Sequence, residues 1–153
     1  MSGYRALTRA VAAAAFAAAA VSPSSGEPPA GPFKARVDLK TFMEHVLTPA
    51  ATVIWRVNGT IVDADGEHDL SPKTDNDWEQ IVTASATLAE ATNALMIPER
   101  VRDRDWNRYA EKLAAAAAKA YRGAEDHDLK VVSEVSDQLD GICSACHRHY
   151  GLE

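Results

Sequence analysis

From Leu39 onward apolar residues recur at steps of three and four: Leu39, Phe42, Met43, Val46, Leu47, Ala50, Val53, Ile54 and Val57. That period is one face of a helix. Asp38 stands where a cap would begin it and Gly59 where it would end. Pro49 falls inside the pattern and removes the bond to the carbonyl of His45. Because the apolar face keeps its phase on both sides, one kinked helix is favoured over a break in which Thr48 and Pro49 open a new segment. Residues 60–73 are polar and rich in turn formers (Asp63, Asp65, Gly66, Ser71, Pro72), which predicts a long loop of a kind that often touches something functional. A second helix is predicted from about Asn76 to Met96, carrying Trp78, Ile81, Val82, Leu88, Ala91 and Leu95 and stopped by Pro98. A third starts after Asp103 with Trp106, Tyr109, Leu113, Ala117 and Tyr121, and Gly123 is placed to close it. The fourth runs from about Asp128 through Leu129, Val132, Val135, Leu139, Ile142, Cys146 and Tyr150. No stretch alternates with period two for long enough to make a sheet. Long amphipathic helices with short connections predict an all-α, antiparallel four-helix bundle.

The chain upstream follows other rules. Arg5 and Arg9 precede an apolar run from Ala10 to Val21, and Ala18 and Ala20 satisfy the small-x-small pattern of signal cleavage. The run is too short for the ~20 residues that cross a bilayer as a helix. Residues 1–20 are therefore expected to be a cleaved secretory signal, with an uncleaved anchor as the alternative. Pro23, Pro28, Pro29 and Pro32, with intervening Ser and Gly, make residues 21–36 a linker, leaving 37–153 as the folded domain.

Formal charge on the 153-residue chain is −6, and losing Arg5 and Arg9 takes it to −8. Phosphate backbones are bound through clustered positive charge, so nucleic acid is not an expected partner.

Chemistry is concentrated near the end, in Cys143-Ser144-Ala145-Cys146-His147. The pattern C-x-x-C-H is the signature of covalent haem attachment: two thiols form thioethers and the adjacent histidine is directed at the iron. Cys143 and Cys146 are the only cysteines. A structural zinc site usually takes four ligands, and His45, His68, His127 and His149 offer no pair at ligand spacing. A redox dithiol places its first thiol at a helix N-terminus, whereas this motif sits late in a helix. Export also agrees with haem attachment outside the cytoplasm. On the fourth helix Ile142, Cys146 and Tyr150 share one stripe, and Cys143 and His147 the next.

A four-helix bundle with C-x-x-C-H in its final helix resembles the class II cytochromes c, which include cytochrome c prime. The resemblance spans the whole expected domain by element order and length, and its residue-specific part is the haem motif. It departs where members commonly carry a basic residue one turn after the histidine; here that region holds Gly151, with Arg148 as a substitute. The resemblance implies haem c as cofactor, His147 as axial iron ligand, and a first helix covering the opposite haem face. It also implies that many members pair as homodimers.

Met43, on the apolar face of the first helix between Phe42, Val46 and Leu47, is the candidate sixth iron ligand. A Met/His pair raises the reduction potential; the plainer reading is a core methionine. His45 is two residues away, ~200° around the helix, and is expected in solvent. Met96 is a lesser candidate, and His68, His127 and His149 are expected at the surface. Trp55, Trp78 and Trp106 are read as core. Lys40 and Arg36 are candidates to pair with haem propionates. The expectation is a periplasmic, non-enzymatic electron carrier serving a redox partner protein. The alternatives are a five-coordinate gas-binding protein closed by Phe42, Val46 or Leu47, and a haem-free bundle with a disulfide.

Overall fold

The computed structural model describes residues 33–152, so the expected signal (1–20) and most of the expected linker (21–36) lie outside the described residues. The first helical segment, α1, comprises Leu39–Phe42, a widened turn Met43–Leu47 and Thr48–Trp55. Asp38 caps it, its carboxylate accepting from the Thr41 backbone N–H at 2.9 Å. Pro49 has no N–H to give and its ring crowds the preceding carbonyls. The chain answers by widening one turn: the Thr48 N–H reaches the Met43 carbonyl, five residues back. Such widened turns recur at functional sites. The helix thus continues through Pro49; its second α-helical stretch opens at Thr48 with Leu47 in helical backbone before it and no side-chain cap, so the break capped by Thr48 is not found.

The expected loop at 60–73 is corrected. It contains a hairpin of β1 (Thr60–Asp63) and β2 (Gly66–Asp69), paired antiparallel with Thr60 opposite Asp69 and Asp63 opposite Gly66. Both strands are exposed throughout. They have no buried face, so burial never imposed an apolar alternation on them. What forms them is β-branched Thr60, Ile61 and Val62 and a turn in which Asp63 accepts from the Asp65 N–H at 2.9 Å. Gly66 follows at φ +126°, open to glycine but not to other residues.

Helix α2 (Asp75–Ala91) begins at a capping box of Thr74 and Asp77 and tightens over Thr92–Leu95. Helix α3 (Arg104–Glu125) is capped by Asp103, and α4 (Leu129–Tyr150) by Asp128. Gly123 does not close α3 as expected. It lies two residues inside the helix, where a Cβ would stand 2.7 Å from Cγ1 of Val131. Its role is close approach of α3 to α4, and His127, at φ 52°, turns the chain instead.

Helix α1 packs on α2 and α4, α2 on α3, and α3 on α4. The shared core holds Ile54, Leu88, Val132, Val135 and Leu139, all fully buried. Each such side chain contributes about 1.5–3 kcal/mol by leaving water. The inner face of α3 is built from Ala110, Ala117, Ala120 and Ala124, small enough to let neighbouring helices come close. The described part is therefore largely helical, with four helices and a small two-stranded sheet.

Three hydrogen bonds fix the far end of α1 to α4. The Asn58 side chain donates to the Ser133 carbonyl and to Asp137 Oδ1 at 2.7 Å, and Ser136 Oγ donates to the Trp55 carbonyl. Beyond them, His127 stacks on Trp78 with ring centroids 4.9 Å apart.

Candidate functional site

Met43, Cys143, Cys146 and His147 line one apolar crevice between α1, α3 and α4. Leu88 and Leu95 form its floor from α2. The α1 wall reads Met43, Leu47, Ala51 and Trp55, four residues apart each time. In a regular helix steps of four drift ~40° per step. The widened turn at Met43–Leu47 turns less per residue, which holds Met43 over the same wall as Trp55.

On α4, Ile142, Cys143, Cys146 and His147 all reach the crevice, because positions i, i+1, i+4 and i+5 cover one face. Both cysteines carry free thiols. Burial, with Asp140 and then Cys146 nearby, pushes the Cys143 thiol up to about 11. Burial also raises Cys146, partly offset by the Arg102 guanidinium. Attacking thiols of dithiol oxidoreductases are held low instead, and neither of these half-buried thiols is. Among the described residues no three His, Cys, Asp or Glu side chains converge as a metal-ion cage.

The motif is held in place from outside. Tyr150, one turn beyond Cys146, donates its hydroxyl to Asp103 Oδ1 at 2.6 Å and packs edge-on against Trp106. Trp106, 2% exposed, donates Nε1 to the Leu95 carbonyl at 2.7 Å. The guanidinium of Arg102 lies 5.2 Å from both ring centroids. Gly151, at φ 63°, ends α4 in the left-handed conformation.

The other sequence candidates lie elsewhere. His45 is exposed in the groove facing α2. His68 contacts Asp63 on the exposed hairpin, and His149 faces Asp105 and Tyr109. Met96 is half-buried against the core but does not line the crevice. Lys40 pairs with Glu44, while Arg36 and Arg148 are exposed, and none of the three lines the crevice. Of Phe42, Val46 and Leu47, only Leu47 lines it; Phe42 lies under the buried Arg100 guanidinium, 4.3 Å from its ring centroid.

Trp55 corrects the expectation of a plain core residue. It is half-buried, lines the crevice, and its Nε1–H is buried with no partner among the described residues. Nothing in the apolar spacing marks that donor, since the same pattern fits any large side chain.

The crevice offers about 100 Å³ to water-sized groups and about 720 Å³ in all with its open mouth. Cofactor sites run roughly 300–1,000 Å³, so a flat tetrapyrrole enters only as wall side chains swing outward. In donor chemistry the residues fit haem c: two thiols on one edge, an imidazole beside them, a thioether on the facing helix, and apolar walls elsewhere. No family model, curated protein or solved structure matches the chain.

Proposed function

We propose that this chain is an exported c-type cytochrome of the class II kind, an antiparallel four-helix bundle acting as a periplasmic electron carrier for a separate redox partner protein. One observation carries the reading: Met43 shares a single crevice with Cys143, Cys146 and His147, a hundred residues later in the chain. An iron ligand would have to face that motif, and Met43 does.

In this reading Cys143 and Cys146 hold one edge of the haem as thioethers. His147 and Met43 would supply an imidazole nitrogen and a thioether sulfur to its iron. When bound, the haem supplies a ferric/ferrous couple that takes up and releases one electron. Met/His ligation and burial among Leu47, Leu88, Leu95 and Leu113 both favour the ferrous state, because apolar surroundings penalise the extra charge of ferric iron. The Tyr150–Asp103 contact ties the last turn of α4 to the start of α3, which would hold His147 in place as the charge changes. Besides His147, the acid–base-capable side chains lining the crevice among the described residues are Tyr109 and the two cysteines.

A second reading has a specific basis. Leu47 lies on the same α1 wall one turn from Met43, and would close a five-coordinate pocket that binds small gases if Met43 does not ligate.

The test is expression with haem-attachment machinery, followed by a haem stain on a denaturing gel and visible and near-infrared spectra. The proposal expects stained protein, low-spin iron in both states, and a ferric charge-transfer band from methionine sulfur. A high-spin spectrum that shifts with carbon monoxide selects the gas-binding reading. Absence of stain from purified, folded protein rejects both.

A further inference from the structure

Resting on the haem reading above, we infer that Trp55 is the crevice's internal hydrogen-bond donor to the cofactor, its Nε1–H binding a propionate carboxylate of the haem. Its side chain lines the crevice, and its indole N–H is buried and meets no acceptor among the described residues. An N–H left so keeps the cost of leaving water with nothing to offset it, and native structures seldom keep one without a use. The indole is held there from behind, since the Trp55 carbonyl accepts from Ser136 Oγ on α4 and Asn58 ties the next turn to Asp137.

The acceptor follows from chemistry. Everything else on a haem is an apolar ring, a metal or a vinyl edge, and its two carboxylates are its only strong acceptors. They lie opposite the vinyl edge that Cys143 and Cys146 would fix. Ser136, whose hydroxyl donates to the Trp55 carbonyl, is seven residues before Cys143, ~10 Å back along α4, so the Trp55 backbone is anchored well away from the thiols. The cations that the sequence offers for this task, Arg36, Lys40 and Arg148, do not line the crevice. A buried carboxylate needs donors, and Trp55 supplies an uncommitted one.

The experiment uses the full mature protein with its haem attached. In the diamagnetic ferrous state, with carbon monoxide added if the iron is high spin, the Trp55 Nε1–H should give a nuclear Overhauser cross-peak to propionate methylene protons. Trp55→Phe should remove that peak and move the propionate bending band of the resonance Raman spectrum to lower frequency, leaving the axial-ligand bands in place. Assigned propionate protons with no such cross-peak in the wild type overturn the inference, even if the variant fails to load haem. An unmoved propionate band in haem-loaded Trp55→Phe overturns it as well. Failure of the wild type to attach haem is a different result, and rejects the proposed function beneath it.

Discussion

The Tyr150 hydroxyl donates to Asp103 Oδ1 at 2.6 Å, and the same oxygen accepts from the Trp106 backbone N–H at 2.9 Å. One carboxylate oxygen therefore caps α3 and ties down the last turn of α4, the turn that follows the C-x-x-C-H motif.

That shared oxygen predicts how stability varies with pH. The Tyr150 hydrogen bond, then the Trp106 backbone N–H, hold the Asp103 carboxyl below its ordinary value. A depressed carboxyl adds stability above the unfolded value of ~4, lost as pH falls through the lower folded value. For Tyr150, burial and then Asp103 raise the phenol, so its contribution is complete below ~10 and is lost as pH rises toward the folded value. Asp103→Asn should flatten the acid limb of a thermal-midpoint profile, and Tyr150→Phe should flatten the alkaline limb. Unchanged limbs in both variants would falsify the linkage.

Gly123 predicts a cost where helix propensity alone predicts a gain. Alanine is better than glycine in a helix interior by about 1 kcal/mol. Here the new Cβ meets Val131 Cγ1 at 2.7 Å and Val131 Cβ at 3.0 Å. The latter contact cannot be relieved by rotating a side chain, and overpacking costs about 1–3 kcal/mol. Gly123→Ala should therefore be net destabilising in urea unfolding, and Val131→Ala should lessen its effect. A stabilised Gly123→Ala would show that α3 and α4 slide apart freely.

The same glycine marks the limit of what the chain discloses in one dimension. The four helices were legible because each buries one face, and a buried face leaves a period of three to four. The C-x-x-C-H motif and Met43 were legible because their chemistry is rare and their phase is helical. The hairpin was not, since an exposed strand such as Gly66–Asp69 carries no burial pattern. Gly123 read as a stop because close helix approach and helix termination both select glycine. Trp55 and Arg100 escaped for another reason: whether a donor is satisfied depends on which carbonyls tertiary packing brings near.

Arg100 is the clearest such case. It is 8% exposed, donates to the Ala94 and Val37 carbonyls at 2.9 Å each, and covers Phe42. It joins the approach to α1 with the α2–α3 connection, aided by the Ala35 N–H to Glu99 contact at 2.6 Å. Arg100→Ala strips donors from two carbonyls and uncovers Phe42. It should cost about 2–4 kcal/mol and open the chain near Val37 to limited proteolysis. Arg100→Lys should recover only part, because one ammonium cannot span both carbonyls while stacking on the ring. Equal stability in all three proteins would mean the guanidinium is incidental.

Met43 decides between the two haem readings. Leucine nearly matches its volume, and such a swap costs under about 1.5 kcal/mol even in a core, so Met43→Leu should fold and attach haem through Cys143 and Cys146 as before. What it lacks is sulfur. If Met43 ligates, the variant loses the methionine charge-transfer band, turns high spin, and gains a carbon monoxide complex in the ferrous state. Its reduction potential falls, because the thioether that favoured ferrous iron is gone. If Met43 is only part of the wall, spectrum, spin state and potential stay where they were. Gas binding is then present before the substitution as well as after it. His45, exposed on the α2 side of the same helix, cannot replace the lost ligand without a large rotation of α1, so a low-spin Met43→Leu protein would place the sixth ligand outside this helix face.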